Sequence, residues 1–388
     1  MKIHSANSIL FVHDWLTGMR GGEKCLEILC EWQPTAPLFT LFHRFGSVSR
    51  TIENRPILTS WFQRLPHIQS YYRYLLPVMP LALPSRLPKA KLMISLSHCI
   101  AKSVQPPPGA AHLCYCFTPM RYAWQMRDAY FSAPKRNRLK ARAIDLLLDQ
   151  LSAWDRQTAA QVTEFIAISK TIRNRILTCY QRNSTVIYPP VNTHFFTPSF
   201  QKRENFYLVV SAFAPYKKID LAIRACQQLK RQLIIIGTGQ AKRQLQAIAN
   251  SEYIHFLGHQ SDESIRDYLR RCQALLFPGE EDFGIVPVEA NACGTPVIAL
   301  NRGGVQETVI GLANNDNATG IFFDEADVDH LIGAMLQFEK SGKNISSESC
   351  RKRALQFSSN QFAQKFIDHV ERHYGISREE WIPQRRAG

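Results

Sequence analysis

Short apolar runs alternate along the chain with longer segments in which apolar residues recur every three or four positions. Runs that are apolar at every position are typical of strands buried on both faces, whereas the longer spacing indicates amphipathic helices. The alternation predicts an α/β protein made of repeated strand–helix–strand steps with parallel strands. Strands are expected at residues 8–12, 92–96, 113–116, 164–168, 186–188, 207–210, 232–236, 254–257, 274–277 and 297–300.

Capping and breaking residues indicate where several helices begin and end. Ser169 is a suitable N-cap for a helix over 170–180. Pro287 is tolerated in the first turn of a helix that starts at Ile285, and Gly294 ends that helix before the next strand. Further helices are expected at 24–31, 143–158, 265–272 and 328–338.

The chain is long enough for two domains. With 388 residues, each half can bury its own core, and the strand–helix pattern occurs in both halves. A polar, proline-containing stretch that ends near Arg203 separates the two sets, so we place the boundary within it. We expect a first doubly wound domain over 1–197, a second over 198–365, and a C-terminal helix and basic tail over 366–388 that can pack back on the first domain.

Composition and cysteine usage indicate a globular protein of a reducing compartment. Hydrophobic residues make up 45% of the chain, so disorder is not expected. No stretch approaches the roughly 20 apolar residues that a membrane-spanning helix needs, and the first apolar run is too short for the core of a signal peptide. The ten cysteines include no C-x-x-C pair. We therefore expect buried free thiols and a cytoplasmic location.

Positive charge is concentrated in the first half. The formal net charge is +15, and residues 43–142 contain 16 Lys and Arg but only two acidic residues, Glu53 and Asp128. Such a surface attracts an anionic membrane, nucleic acid or a pyrophosphate-bearing substrate, and general solubility is the plainer alternative. Aromatic residues and arginines between 61 and 87 suit a membrane interface, although aromatic side chains packed in a core give the same pattern.

The most informative stretch follows the strand at 274–277. Glu281 precedes the helix and Glu289 lies inside it, with seven residues between them. The first N–H groups of the helix, near Gly284 and Ile285, and the positive end of its dipole suit an anion such as phosphate. Carboxylates repel phosphate but accept hydrogen bonds from sugar hydroxyls. The stretch therefore predicts a nucleotide sugar as ligand, and an acidic loop that only caps the helix is the alternative.

Residues 275–300 resemble the E-x7-E segment of retaining glycosyltransferases of family 4, which have the GT-B fold. The pattern F-G-[IL]-x-x-x-E-A-x-A-x-G-x-P-V is matched from Phe283 to Val297. The resemblance implies two Rossmann-like domains that face a central cleft. It also implies a catalytic Glu281 that contacts the donor sugar and a Glu289 that contacts the donor ribose. The other donor-binding residues implied in this half are Gly258, Gly284 and Ile285.

A second donor motif lies at residues 211–221. Family 4 enzymes usually carry G-R-x-x-x-x-K here, and the Arg and Lys hold the two donor phosphates. The resemblance makes Lys218 catalytic and Lys217 donor-binding, but Ala212 stands at the arginine position. Two exposed surface lysines are the alternative interpretation. The D-x-D sequence that begins at Asp327 stands at a helix start, so we expect it to cap the helix and predict no metal site.

The first half resembles a mannosyltransferase-like branch of the same family through H-D-W-L-x-x-x-x-G-G-E at residues 13–23. The resemblance implies that Gly22 faces the donor phosphate. Many relatives place a histidine near the reacting sugar where this chain has Phe117. His98 or His13 can take its place, although a lone histidine is more often structural. The candidates for the acceptor side are Asp14, His98 and Arg121.

Together these features predict a metal-independent retaining transferase. It moves a hexose, with mannose the best candidate, from a GDP- or UDP-linked donor to a lipid-diphosphate-linked or saccharide acceptor in cell-surface polysaccharide assembly. The nucleotide sugar is a co-substrate, and no cofactor is expected. We expect a peripheral location at the inner face of the cell membrane and no nucleic-acid partner. Two alternatives stay open: a GT-B paralogue with impaired catalysis, suggested by Phe117 and Ala212, and a basic nucleic-acid-binding protein.

Overall fold

The computed structural model describes residues 8–124, 138–199, 201–312 and 317–381. They form two compact units: one contains the chain up to Pro189 together with residues from Phe362 onward, and the other contains Pro190–Gln361. The division falls at the start of the proline-containing stretch rather than at residue 197. The reason is that Val191 already pairs, in parallel, with Ser358 of the second unit.

The first unit is built on seven strands: β1 (Ile9–His13), β2 (Leu38–Thr40), β3 (Ile57–Thr59), β4 (Leu92–Ser97), β5 (Ala111–Cys116), β6 (Glu164–Ala167) and β7 (Ser184–Val186). They form one parallel sheet in the order β3-β2-β1-β4-β5-β6-β7. Every residue of β1 and β4 is buried, which explains the uninterrupted apolar runs in the sequence. The pattern does not predict β2 and β3, because β2 ends in the polar Thr40 and β3 is mostly exposed.

Helices cover this sheet: α1 (Gly21–Trp32), α2 (Arg50–Glu53), α3 (Ile68–Tyr71), α4 (Arg121–Trp124), α5 (Arg138–Ala159) and α6 (Lys170–Tyr180). The expected cap of α6 is confirmed, because Ser169 Oγ accepts a hydrogen bond from the backbone N–H of Ile172 at 3.1 Å. The expected buried, free thiols are also confirmed at all ten cysteines.

Residues 61–82 pack one side against the core of the first unit and expose the other. Apart from α3 they form 3-10 turns over Trp61–Arg64 and Tyr72–Ala82, and two prolines inside the second turn prevent a long helix. The buried side consists of Phe62, Ile68, Tyr72, Leu76, Met79 and Ala82. The exposed apolar side chains are Trp61, Tyr74, Val78 and Leu81. The buried side confirms that part of the aromatic pattern belongs to the core, and a membrane interface on the exposed side stays a prediction.

The second unit contains β8 (Phe206–Val210), β9 (Gln232–Ile236), β10 (Ile254–Gly258), β11 (Leu275–Phe277), β12 (Val297–Leu300) and β13 (Gly320–Phe323). The parallel sheet has the order β10-β9-β8-β11-β12-β13. Its helices are α7 (Ile219–Leu229), α8 (Lys242–Ile248), α9 (Asp262–Arg271), α10 (Ile285–Ala292), α11 (Val305–Thr308), α12 (Val328–Ser341) and α13 (Ser347–Leu355).

The chain returns to the first unit through α14 (Ser359–Tyr374) and α15 (Arg378–Trp381). Phe362 and Phe366 of α14 contact the ring of Tyr115 in β5, with centroid distances of 5.7 and 6.0 Å. Trp381 is fully buried against Phe366. Across the described ranges, none of the helices combines the length and the apolar content needed to span a bilayer.

Candidate functional site

Each sheet reverses its strand order at one point. In the first sheet β1 lies beside β4, and in the second β8 lies beside β11. Ligands of doubly wound sheets bind outside the carboxyl ends of the strands at such a switch point. The segments that leave these four strands carry several of the residues expected from the sequence, namely Asp14 after β1, His98 after β4, Lys217 after β8 and Glu281 after β11.

Lys217 and Glu281 form an ion pair at the switch point of the second sheet. Their side chains are 13% and 24% exposed, and both line a small pocket together with Ser211 and Phe277. Gly279 allows the two loops to approach, because a Cβ atom at this position would lie 2.8 Å from Cα of Lys217. The role of Gly279 is not predictable from the sequence, since nothing in the pattern shows that these loops touch.

The turn after β12 supports the Glu281 loop from another side. The carbonyl oxygen of Glu281 accepts a hydrogen bond from the backbone N–H of Gly304 at 2.8 Å, and Glu281 pairs in parallel with Gly303. A Cβ atom at Gly304 would lie 2.4 Å from the carbonyl oxygen of Asp282. The two glycines therefore hold the backbone of the acidic loop through close contacts that a side chain would prevent.

The second acidic residue lies on the helix that follows this loop. Gly284 is the N-cap of α10 with a φ of +84°, and the N–H groups of Ile285 and the next residues have no partner within the helix. Glu289 is 7% exposed on the second turn of α10. The site thus combines the ion pair of Lys217 and Glu281 with the positive end of the dipole of α10, and Glu289 lies one turn further along this helix.

The two adjacent lysines occupy different environments. Lys217 ends the 3-10 turn Pro215–Lys217 and contacts Glu281. Lys218 is the N-cap of α7 in a left-handed conformation with φ of 52°, and its side chain is exposed. The lysine that meets the acidic loop is therefore Lys217. Gly258 ends β10, and its carbonyl oxygen accepts a hydrogen bond from the N–H of Gly237 at 2.8 Å; its contact with a donor stays a prediction.

A buried carboxylate organises the switch point of the first sheet. Asp14 is fully buried, and its oxygens accept hydrogen bonds from the backbone N–H groups of His98, Ile100 and Ala101 at 2.7, 2.6 and 2.7 Å. Nδ1 of His98 lies 2.8 Å from Oδ2 of Asp14. Burial alone raises the pKa of Asp14, but the charge and hydrogen bonds of His98 outweigh it and lower the pKa to about 2.

His98 is the accessible member of this cluster, with 32% of its side chain exposed. Burial lowers the pKa of His98, but Asp14 outweighs this effect, so the pKa is raised above the usual value of 6.5. The positive charge of Arg121 acts on His98 in the direction opposite to Asp14. The structure therefore brings Asp14 and His98 together, with Asp14 in a positioning role and His98 at the surface.

Gly22, near the start of α1, lies over two rings of the same unit. A Cβ atom at Gly22 would lie 3.2 Å from the ring of Phe117 and 3.4 Å from the ring of His13. Nε2 of His13 lies 3.6 Å from Oε1 of Glu23. Burial raises the pKa of Glu23, but the contact with His13 outweighs it and lowers the pKa. The expected contact of Gly22 with a donor phosphate stays a prediction.

The D-x-D sequence has the capping role expected from its position. Asp327 is the N-cap of α12, and its Oδ1 atom accepts a hydrogen bond from the backbone N–H of His330 at 2.9 Å. The same carboxylate lies 2.9 Å from Nδ1 of His330. These contacts confirm the capping role of Asp327.

The two doubly wound parallel sheets are those of the GT-B fold. Residues 191–357, nearly the whole second unit, match the family model described as glycosyl transferases group 1. Through this unit, the chain is similar to the glycosyl transferases group 1 family.

Two relatives and one solved structure illustrate the likeness. The chain is 30% identical over 207 residues to the uncharacterized glycosyltransferase MJ1178 of Methanocaldococcus jannaschii, a match that covers 52% of this chain and 55% of that protein. It is 32% identical over 142 residues to a GDP-mannose-dependent monoacylated alpha-(1-6)-phosphatidylinositol monomannoside mannosyltransferase of Corynebacterium glutamicum. This match covers 33% of this chain and 36% of that protein. The structure of Anabaena HepE in complex with UDP matches with a TM-score of 0.66 at 15% identity. This match covers 94% of this chain and 100% of HepE. The chain spans about half the length, or less, of these curated relatives.

Proposed function

We propose that the protein is a retaining glycosyltransferase that moves a hexose from a nucleotide sugar to an acceptor hydroxyl. The observation that carries the proposal is the ion pair of Lys217 and Glu281 beside the amino end of α10. The carboxyl end of the second sheet carries a cation, helix N–H groups and carboxylates. This set suits a ligand in which sugar hydroxyls flank a diphosphate. The family match over the same unit supports this reaction class.

Each group has a role in the proposed reaction. Lys217 and the first amides of α10, at Gly284 and Ile285, neutralise the charge that develops on the leaving diphosphate. Glu281 accepts hydrogen bonds from hydroxyls of the donor sugar, and Glu289 accepts them from the ribose. Because a lysine and a helix terminus supply the positive charge, the proposal needs no metal ion.

Binding of the donor exchanges the partner of Lys217. Before binding, Glu281 holds the ammonium group in the pocket. The donor diphosphate then takes the place of Glu281 on Lys217, which frees the carboxylate for the sugar hydroxyls. The ion pair therefore prepares both side chains for their roles.

The proposed bond changes keep the configuration of the anomeric carbon. The acceptor oxygen forms a bond to this carbon on the face from which the diphosphate leaves. The bond between the anomeric carbon and the phosphate oxygen breaks, and the nucleoside diphosphate takes the electron pair. The proton of the acceptor hydroxyl passes to the departing phosphate oxygen, so no protein nucleophile is needed.

GDP-mannose is the first donor to test, because it is named for the Corynebacterium relative; UDP-linked sugars come second, because UDP is named for HepE. We assign acceptor binding to the first unit. His98, oriented by the Asp14 carboxylate, orients the acceptor hydroxyl in this proposal. Arg121 supplies a positive charge beside it, which suits an acceptor that carries phosphate.

A lipid-linked acceptor explains the surface of residues 61–82. Tyr74 and Leu81 are 85% and 74% exposed, and they belong to the half of the chain that carries most of the positive charge. Exposed apolar side chains beside arginines suit the interface of an anionic bilayer. We therefore propose peripheral binding at such a surface, with the acceptor in polysaccharide assembly presented by the lipid.

A donor screen tests the proposed reaction. The purified protein is incubated with GDP-mannose, GDP-glucose, UDP-glucose and UDP-N-acetylglucosamine, and the midpoint of thermal unfolding and the release of nucleoside diphosphate are measured. We expect one donor class to raise the midpoint and to be hydrolysed slowly with retention of configuration. Absence of any shift and any hydrolysis contradicts the proposal, and a shift without hydrolysis or transfer supports the alternative of an impaired paralogue.

Flotation with vesicles of phosphatidylglycerol and phosphatidylcholine tests membrane binding. We expect the protein to float with the anionic vesicles at low salt and to be released at high salt. The double substitution Tyr74→Ser and Leu81→Ser should reduce flotation, whereas Leu336→Ser with Leu355→Ser, two exposed apolar residues of the second unit, should not. Failure of the wild-type protein to float at low salt refutes membrane binding. It does not bear on the proposed donor site.

A further inference from the structure

Three side chains of metal-ligand type meet at the amino end of β6 in the first unit. Glu164 is the first residue of β6, and His369 and His373 lie one turn apart on α14. Nε2 of His369 lies 2.9 Å from Oε1 of Glu164, and Nδ1 of His373 lies 4.0 Å from Oε2. One ligand atom from each residue can be chosen so that all three lie within 4.8 Å of one another.

The helix presents both imidazole rings to the same point. Residues four positions apart share a helix face, and the rings of His369 and His373 are nearly parallel, with an angle of 16° and a centroid distance of 4.4 Å. The ring of His373 is 45% exposed, so it can rotate its nitrogen closer to Glu164. Two histidines at this spacing and a facing carboxylate make a three-ligand site.

Nε2 of His369 provides a second, independent observation. His369 is 8% exposed, and within the described residues this buried nitrogen makes no hydrogen bond of normal geometry, although it lies close to Glu164. Buried polar atoms generally have a partner, and a metal ion between the imidazole and the carboxylate would provide one. Tyr374 donates a hydrogen bond from its hydroxyl to Oε2 of Glu164 at 3.1 Å, which orients the carboxylate as outer partners of metal ligands do.

We propose that Glu164, His369 and His373 bind a divalent transition-metal ion, Zn²⁺ in particular. Imidazole nitrogen and carboxylate oxygen are zinc ligands, and a water molecule completes a four-coordinate site. Mg²⁺ is a poor occupant, because it prefers oxygen ligands in an octahedral arrangement.

The ion has a structural role and connects segments that are far apart in the sequence. β6 precedes the second unit, whereas the part of α14 that carries both histidines follows it. Glu164 lies at the amino end of its strand, which is the sheet edge opposite to the carboxyl ends where Asp14 and His98 lie. The ion therefore stabilises the packing of α14 on the first sheet and takes no part in sugar transfer.

Zinc uptake by the full chain tests this site. The protein is stripped with a chelator, dialysed against ZnCl2 and analysed for bound metal, and thermal unfolding is followed with Zn²⁺ and with Mg²⁺. We expect one Zn²⁺ per chain and a rise of about 5 °C in the unfolding midpoint at a zinc concentration near 100 times Kd. Mg²⁺ should give no rise, and Co²⁺ should give the visible absorption of a four-coordinate site in place of Zn²⁺.

The substitution His373→Gln separates metal binding from folding, because this ring is half-exposed. It should leave the midpoint of the metal-free protein unchanged while it abolishes the zinc uptake, the thermal shift and the Co²⁺ spectrum. His330→Gln is the matched control and should behave like the wild type. His330 lies on α12, is exposed, and has a carboxylate partner in Asp327, the N-cap of the same helix. No retained zinc in the wild type, or equal uptake by His373→Gln, overturns the proposal.

Discussion

The substitution Lys217→Met tests the donor site. Methionine keeps a long apolar side chain and removes the charge that contacts Glu281. The two side chains of this ion pair are 13% and 24% exposed, so its loss costs an amount between the value for an exposed pair, about 0–1 kcal/mol, and that for a buried one, about 3–5 kcal/mol. At roughly 2 kcal/mol, the unfolding midpoint of the second unit should fall by about 4–8 °C.

The substitution should also weaken the binding of a nucleoside diphosphate. A charge-assisted hydrogen bond from Lys217 to the diphosphate contributes about 1.5–3 kcal/mol. Since about 1.4 kcal/mol corresponds to a factor of ten, the Kd of GDP or UDP should rise about 10- to 100-fold. Guanosine or uridine lacks the diphosphate, so its affinity for the variant and for the wild type should be the same.

Isothermal titration calorimetry of three variants decides which lysine has this role. Lys218→Met changes the adjacent, exposed lysine and should weaken binding less than about 3-fold, as expected for an exposed charge. Lys230→Met changes an exposed lysine at the other end of α7 that shares the left-handed backbone, with φ of 54°, and should have no effect. Wild-type affinity of Lys217→Met for the diphosphate, or a larger loss in Lys218→Met, would refute the reasoning.

Three further predictions concern the acidic loop and the first switch point. Glu281→Ala should lower turnover on the order of 100-fold, the effect of losing one transition-state hydrogen bond, whereas Glu280→Ala, an exposed neighbour, should not; steady-state rates distinguish the two. Gly304→Ala should cost about 1–3 kcal/mol of the unfolding free energy, because its Cβ atom would lie 2.4 Å from backbone atoms of Asp282 and Phe283. Gly333→Ala, where a Cβ atom meets nothing within 4 Å, should cause no loss in the same denaturant titration. Because the pKa of Asp14 is lowered from 3.8 to about 2, this group contributes about 2 kcal/mol above pH 4 that is lost as the pH falls towards 2. The unfolding free energy of Asp14→Asn should therefore change less with pH over this range. A pH dependence equal to that of the wild type would contradict the lowered pKa of Asp14.

Strands buried on both faces were predictable because they are apolar at every position. β12 lies at the expected residues 297–300 and is buried at every position. β9 also lies where expected, at 232–236, because its residues after Gln232 form an apolar run. β2 and β3 were not predicted because neither is an uninterrupted buried apolar run: β2 ends in Thr40, and two of the three residues of β3 are exposed. β13 was not predicted because it begins with Gly320, and glycine usually weakens a strand.

The candidate site was predictable where one local segment holds the chemistry. Glu281 and Glu289 lie on one loop and the helix that follows it, so the sequence shows their spacing directly, and it predicts either a ligand site or an acidic loop that only caps the helix. Which of Lys217 and Lys218 contacts the acidic loop was not predictable from the sequence. Adjacent residues in an irregular turn have no periodic pattern that shows where their side chains point. The role of Gly279 depends on contact between two loops that are far apart in the sequence, and only the fold shows this contact.

The structure of the protein with a bound nucleotide sugar tests the central claim most directly. Crystals soaked with the donor that gives the largest thermal shift should show the diphosphate on Nζ of Lys217 and on the first amides of α10. Glu281 should have moved from the lysine to the sugar hydroxyls, and Glu289 should contact the ribose. A saturated crystal in which Lys217 still pairs with Glu281, with the donor bound elsewhere or not at all, would contradict the claim.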